Sequence, residues 1–107
     1  MYIYIITEAG HDSPCKIGYA RNPQKRASDL SVGNPNDLVV RYAEECVLAE
    51  PSHDDYLITR RAIETEKTIH KSLKYSKIRR EWFDIDWQRA MPLVHLHIYD
   101  AKTTYSA

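Results

Sequence analysis

The sequence predicts an α+β fold, and three patterns support that prediction. Two short apolar runs, residues 2–6 and 15–19, flank turn-forming residues at 10–14, which is typical of a β-hairpin. Asn22-Pro23 directly after the hairpin is a favoured helix start, with Asn as N-cap and Pro at the first helical position. Residues 53–73 repeat apolar side chains at helical spacing. The chain of 107 residues fits one domain, residues 1–107, with a single modest core.

The predicted hairpin has two chemically different faces. Alternation along the first strand places Tyr4 on one face and Ile3 and Ile5 on the other. In the second strand Lys16 and Gly18 share a face. If Tyr4 and Lys16 point the same way, a phenol and an ammonium group lie side by side on one small sheet.

The middle of the chain continues with alternating strand and helix signals. The first helix should run to about residue 31, and residues 38–48 should form a third strand that is bulged or bent in its middle. A long helix should follow at roughly 53–73, with Asp54 and Asp55 complementing its N-terminal dipole.

The last third of the chain is expected to be less regular. Residues 75–80 predict a basic loop, and residues 81–85 a short strand or extended segment. Pro92 should kink or restart the last helix, so we place its regular part at about 91–99 and expect a frayed tail after residue 100. The predicted core therefore spans about 2–85, with a C-terminal helical extension over 86–100.

Three polar side chains occupy unusual positions on the predicted helices. On a helical wheel Arg26 lies at the edge of the apolar side of its helix, from which it can reach the sheet. Glu66 falls inside the apolar arc of the long helix. An unpaired carboxylate there would cost several kcal/mol, so Glu66 needs Arg26, Lys16 or a metal ion as partner. A plain Glu66–Arg26 ion pair without chemistry is the structural alternative. His70, one turn on, is either a second polar lining residue or an ordinary half-exposed histidine.

The charges sum to zero but are unevenly distributed. A formal net charge of +0 argues against a protein that coats nucleic acid by bulk electrostatics. Acidic side chains gather at 44–55, whereas residues 60–80 are mostly basic. The basic stretch either presents one basic face to a polyanion or is a solvated helix and loop.

The remaining features indicate a cytoplasmic protein without a membrane segment. The apolar start at residues 1–6 lacks the basic flank and length of a signal peptide, and no apolar run reaches the roughly 18 residues of a membrane span. Cys15 and Cys46 both fall in predicted strands. We expect them to be small buried thiols, with a disulfide as the alternative.

Assembled in order, these motifs resemble the GIY-YIG nuclease superfamily. The resemblance rests on Tyr2-Ile3-Tyr4, Lys16-Ile17-Gly18, Arg26, Glu66-x-x-x-His70 and Glu81-Trp82-Phe83. The chain is most similar to the branch of the phage T5 Orf172 DNA-binding domain and the Mug113-like domains, where the second motif reads KIG. The resemblance implies a small three-stranded antiparallel sheet flanked by helices.

The resemblance also implies a function and its residues. It implies metal-dependent hydrolysis of phosphodiester bonds in nucleic acid, in particular DNA, in a phage or mobile-element setting. Glu66 would hold Mg²⁺ or Mn²⁺, and Gly18 would allow close approach of a helix or phosphate. Arg26 and Lys16 would bind phosphate, Tyr4 would orient or deprotonate the water, and Lys16 and Arg26 would favour its phenolate. The candidate catalytic residues are Tyr4, Lys16, Arg26, Glu66 and His70. The candidate nucleic-acid contacts are Arg21, Lys25, Arg60, Lys71, Lys74, Lys77, Arg79 and Arg80.

The chain departs from the family pattern at two motif positions. Tyr2 stands where the first motif has glycine, and Lys16 stands where the longer-known nucleases have a tyrosine. These departures concern catalysis more than fold. The alternative is therefore a DNA-binding module of the same fold that no longer cleaves, and a third option is a protein-interaction domain using the acidic residues 44–55.

Overall fold

The computed structural model describes residues 1–46 and 54–106 and has an α+β architecture. The strands are β1 (Tyr2–Glu8), β2 (Cys15–Ala20), β3 (Leu38–Glu45), β4 (Lys77–Arg79) and β5 (Trp82–Phe83). They form one antiparallel sheet in the order β3-β1-β2-β5-β4. The helices are α1 (Pro23–Ser31), α2 (Asp55–Ser72) and α3 (Trp87–Ser106).

The expected three-stranded sheet is wrong, because the sheet has five strands. The predicted loop at 75–80 is instead a short 3-10 turn, Lys74–Ser76, followed by β4. The segment at 81–85 does contain the expected strand, β5. Strands of three and two residues are too short for alternation to reveal them in a sequence, so only their pairing identifies them.

The sheet has helices on both faces. Ile3, Ile5 and Ile17 pack with α2 and α3 in the larger core. Tyr4 and Ile6 belong to a second, smaller cluster with side chains of α1 and β3. The predicted division of the hairpin into two faces is therefore confirmed.

The first helix begins at its predicted capping residue, and the second begins directly after Asp54, which was predicted to complement its dipole. The side chain of Asn22 accepts a hydrogen bond from the Lys25 N–H, and Pro23 opens α1. Asp54 caps α2 in the same way by accepting from the Leu57 N–H at 2.8 Å. Residue 53, where the predicted long helix began, lies outside the described residues.

The C-terminal helix differs from its prediction at both ends. α3 begins at Trp87, passes through Pro92 without ending, and continues to Ser106, so the helix does not restart at 91 and its regular part extends beyond residue 99. Val94 and Ile98 are fully buried in the larger core. Burial of this apolar side offsets the cost of the proline, and α3 completes the core instead of extending it.

The third strand has the predicted bulge. Ile5 pairs with Tyr42 and Ile6 with Val40, so β3 carries one extra residue between these pairs. β3 ends at Glu45, and residues 47 and 48 of the predicted strand lie outside the described residues.

Both cysteines are buried free thiols, which confirms the first of the two expectations for them. Cys15 lies in β2 as predicted, whereas Cys46 follows β3 and is not in a strand. Within residues 1–46 and 54–106, no helix is both long and apolar enough to span a membrane.

Candidate active site

The first part of the site comes from the pairing of β1 with β2. Tyr4 lies opposite Gly18 and Ile6 opposite Lys16, so the phenol and the ammonium group do share a face of the sheet. The ring of Tyr4 lies across Gly18, where a Cβ would come within 2.5 Å of the phenol oxygen and 2.7 Å of Cζ. Gly18 therefore makes room for Tyr4, and not for a helix or phosphate as the resemblance suggested.

Lys16 is held by a residue that follows β4. Its Nζ lies 2.9 Å from Glu81 Oε2 and 5.8 Å from the centre of the Trp82 ring. This contact arises because β2 pairs with β5 and places Lys16 opposite Trp82, one residue from Glu81. The Lys16 side chain is only 13% exposed, so its charge is balanced inside the site.

Arg26 reaches the site from α1. Its guanidinium group is close enough to the phenol of Tyr4 to act on the pKa of that phenol, and the residue itself is exposed. Arg26 thus lies near the sheet and is accessible to solvent. A guanidinium group in this setting can bind phosphate oxygens with its N–H groups.

Glu66 and His70 approach from α2, on the other side of the sheet. His70 Nε2 donates to the Ile17 carbonyl at 2.8 Å, and the imidazole ring meets Phe83 edge-on at 4.9 Å. The opposite ring nitrogen, Nδ1, lies 3.9 Å from Glu66 Oε1. His70 therefore fixes α2 against the outer edge of β2, beside Glu66.

Glu66 is the one carboxylate of the site with an unsatisfied oxygen. Its side chain is 13% exposed, and Oε2 is buried without a hydrogen-bond partner. Within residues 1–46 and 54–106, Glu66 forms no ion pair with Arg26 or Lys16. Lys16 is instead paired with Glu81, and Arg26 acts on the phenol of Tyr4.

The electrostatics of the two helical residues reflect their burial. Burial first, and then the charge of Glu81, raises the pKa of Glu66 to about 7, against the lowering effects of Lys16 and Lys77. Burial also lowers the pKa of His70, so the imidazole is neutral at pH 7. The hydrogen bond to Ile17 then assigns the proton to Nε2 and leaves the Nδ1 lone pair facing Glu66.

Tyr4 does not have the expected tendency to form a phenolate. Burial raises its pKa, and the charges of Glu81 and Glu66 add to that effect. Arg26 lowers the pKa of Tyr4, as predicted, but burial and the two carboxylates outweigh it. The prediction of a favoured phenolate failed because it left out the burial of the ring and the presence of Glu81.

A divalent cation would have one protein carboxylate to bind here. Among the described residues, no cluster of three or more His, Cys, Asp or Glu side chains could hold a metal ion. The unpartnered Glu66 Oε2 nevertheless fits Mg²⁺ or Mn²⁺, which often use one or two carboxylates and take their other ligands from water and substrate phosphate.

The predicted nucleic-acid contacts separate into two groups. Arg21, Lys25 and Arg60 form ion pairs within the domain, with Asp55, Asp29 and Glu64 respectively. The others are exposed cations at the end of α2 and along β4 and its following turn: Lys71, Lys74, Lys77, Arg79 and Arg80. The second group forms the basic edge of the sheet, next to Glu66.

Glu81 is the site residue that the sequence did not single out. It contacts Lys16, and a Cβ on Gly18 would come within 3.2 Å of its Oε2. The only sequence signal was its place directly before Trp82-Phe83. Its role depends on β5 pairing with β2, which the sequence did not indicate.

An antiparallel sheet between helices, with Tyr4 and Arg26 on its α1 face and Glu66 on α2 within electrostatic range of Tyr4, is the arrangement of a GIY-YIG-like domain. Residues 1–96 match the model of the T5orf172 domain, and the chain belongs to that family. The family is associated with GIY-YIG-like and phage Orf172 nuclease-like proteins, which confirms the resemblance and indicates a nuclease-like or DNA-binding role. No curated protein and no solved structure matches the chain at a significant level.

Proposed function

We propose that this domain hydrolyses phosphodiester bonds of nucleic acid, DNA in particular, with Mg²⁺ or Mn²⁺ bound by Glu66. The observation that carries the proposal is the buried, unpartnered Oε2 of Glu66 at the edge of β2. A buried acceptor without a partner costs free energy in a folded protein. A ligand that binds this oxygen would offset that cost and would explain why a glutamate stands here. Membership of the T5orf172 family supports the same function.

The cation fits the chemistry of the residues around Glu66. When bound, it would supply a Lewis acid for the phosphate and stabilise the leaving oxygen. Glu66 would hold it through its carboxylate, which must lose its proton first, since burial raises its pKa to about 7. Affinity for the cation should therefore increase from pH 6 to pH 8.

The side chains on the α1 face would bind and orient the substrate. Arg26, which lies near the phenol of Tyr4, can direct its N–H groups to phosphate oxygens. Because burial raises the pKa of Tyr4, the phenol keeps its proton and can orient the attacking water by hydrogen bonding. Lys16, balanced by Glu81, would add positive charge where the phosphate arrives.

One observation favours the second candidate, a nucleic-acid-binding module that does not cleave. The 2.9 Å ion pair with Glu81 uses the charge of Lys16 inside the protein. Lys16 would then stabilise the junction of β2 and β5 and leave phosphate binding to the exposed cations of the basic edge.

Incubation of supercoiled plasmid with Mg²⁺ or Mn²⁺ distinguishes the two candidates. We expect nicking by the wild-type chain, loss of nicking in EDTA, and loss in Glu66→Gln, which keeps the shape of the side chain and removes its charge. Asp100→Asn is the matched control, because this carboxylate is exposed and belongs to α3, a helix that contributes no side chain to the candidate site. It should nick at the wild-type rate.

The opposite result has a clear meaning. Wild-type protein that binds plasmid but leaves it intact with either cation would overturn hydrolysis and favour the binding module. Equal nicking by wild type and Glu66→Gln would assign any cleavage to another site or to a contaminating nuclease.

A further inference from the structure

The basic edge of the sheet carries an aromatic side chain that is not buried in the domain. Tyr75, in the 3-10 turn before β4, is 93% exposed, and Ile78 on β4 is 57% exposed. A tyrosine normally buries its ring, so this degree of exposure calls for an explanation. The Lys74 ammonium lies over the Tyr75 ring, 5.0 Å from its centre, so a cation accompanies the exposed ring.

The charges around Tyr75 all have the same sign. Residues 74–80 contain four cations and no carboxylate, and the structure pairs none of Lys77, Arg79 and Arg80 with an acidic side chain within the described residues. Such a segment complements a polyanion. It also repels a second copy of itself, so self-pairing of β4 is disfavoured.

A bulge in β4 directs these cations to both sides of the sheet edge. Lys77 pairs with Phe83 and Arg79 with Trp82, with the register shift between them. Opposed residues share a face, so Lys77 lies on the α2 face and Arg79 on the α1 face. The phosphate backbone of a nucleic acid can therefore contact a cationic side chain on either face of β4.

Lys77 connects this edge to the candidate active site. Its charge is close enough to lower the pKa of both Glu66 and His70. Lys77 follows Lys74, the cation over the Tyr75 ring, by three positions in the sequence. A strand bound along the edge would thus place a nucleotide at Tyr75 near the bond presented to Glu66.

We propose that Tyr75 stacks on an unpaired base, so that the substrate of this domain is nucleic acid with unpaired nucleotides, such as a single strand or a flap, next to the cleaved bond. In a paired duplex the neighbouring bases cover each base face, which leaves nothing for an exposed tyrosine to stack on. Basic side chains interleaved with an exposed aromatic ring are the usual means of binding single strands. This inference rests on the proposed function of the same site and specifies its substrate.

Fluorescence anisotropy in EDTA tests the inference without cleavage. The probes are a labelled 20-nucleotide single strand, its complete duplex and the duplex with an unpaired flap. We expect Tyr75→Ala to weaken binding to the single strand and the flap by roughly 5- to 100-fold and to leave the duplex almost unchanged. Tyr75→Phe keeps the ring and should bind like the wild type.

Tyr56→Ala is the matched control, because Tyr56 is also exposed, at 73%, but lies at the start of α2, outside the basic edge. It should not alter binding to any probe. Tyr75→Ala that weakens all three probes equally, or none, would overturn the inference. A dimer in solution that Tyr75→Ala converts to monomer would also overturn it, since the ring would then serve self-association.

The design separates this inference from the proposed function. Selective binding lost in Tyr75→Ala, together with an intact plasmid in the nicking assay, would support Tyr75 and reject hydrolysis. Glu66-dependent nicking with no effect of Tyr75→Ala on any probe would support hydrolysis and reject stacking.

Discussion

The two faces of the sheet serve different purposes. On the α2–α3 face, thirteen buried residues of the described chain form one continuous cluster. On the α1 face the corresponding cluster has four, and one of them is Tyr4. The polar groups Lys16, Arg26 and Glu81 lie around that smaller cluster, so the face that contributes less apolar burial carries most of the candidate site.

Glu66 does not follow this division of polar and apolar side chains between the two faces of the sheet. It belongs to the helix that builds the large core, yet it contributes a buried carboxylate oxygen without a partner. It can do so because β5 pairs only with Cys15 and Lys16 of β2, and His70 takes the next carbonyl along that edge. The α2–α3 face therefore supplies most of the apolar burial, and the unpartnered Glu66 carboxylate lies where that face meets the unpaired part of β2.

The largest expected effect on this comparison comes from the large core. Ile98→Ala removes a fully buried side chain from α3 and should lower the free energy of unfolding by about 2–5 kcal/mol. Leu96→Ala, at a half-exposed position of the same helix, should change it by less than about 0.5 kcal/mol. Urea unfolding measures both. If Ile98→Ala lowers the free energy of unfolding only slightly, α3 is a peripheral extension and not part of the core.

The second effect concerns the cost of keeping Glu66 charged. Its pKa is about 7 in the fold and lower in the unfolded chain, so the stability linked to its proton is complete at low pH and is lost as pH rises through 7. The glutamine of Glu66→Gln does not titrate, so the variant has no such dependence on pH. Without metal, we expect its stability relative to wild type to increase by about 2 kcal/mol from pH 5 to pH 8.

The measurement is urea unfolding of both proteins in EDTA at the two pH values. The groups that face Glu66, namely Glu81, Lys16, Lys77 and His70, are the same in both proteins, so their titration largely cancels in the difference. A difference that stays constant with pH would mean that Glu66 is hydrated and ionised in the fold. Mn²⁺ at pH 8 should then stabilise wild type but not Glu66→Gln if this carboxylate binds the cation.

The sequence predicted the long elements of the fold and five side chains of the candidate site, namely Tyr4, Lys16, Arg26, Glu66 and His70. Periodicity and capping residues identified the hairpin, α1 and α2, and the helical wheel placed Glu66 on a buried arc. Periodicity could not reveal β4 and β5, because strands of two and three residues do not complete a pattern. Glu81 was missed for the same reason, since only the pairing of β5 with β2 brings it to Lys16. Pro92 misled the prediction of α3, where tertiary burial outweighs local propensity.

The smallest expected effect tests how tightly the α1 face is built. Gly18→Ala would place a methyl group 2.5 Å from the phenol oxygen of Tyr4, a ring that is 1% exposed and cannot easily move aside. We expect a loss of about 1–3 kcal/mol of stability. In a Tyr4→Leu background most of that loss should disappear, since the obstructing ring is absent.

Gly33→Ala separates this steric effect from a backbone effect. Gly33 has a φ of +80° and open space around its Cβ position, so its substitution costs stability through the backbone alone. That cost should be equal in the wild-type and Tyr4→Leu backgrounds, whereas the cost at Gly18 should depend on Tyr4. If Gly18→Ala lowers stability equally in both backgrounds, the Tyr4 ring can move aside and the cost comes from the backbone at residue 18. If the cost depends on Tyr4, the α1 face, though smaller in apolar area, packs as closely around its tyrosine as the large core packs around Ile98.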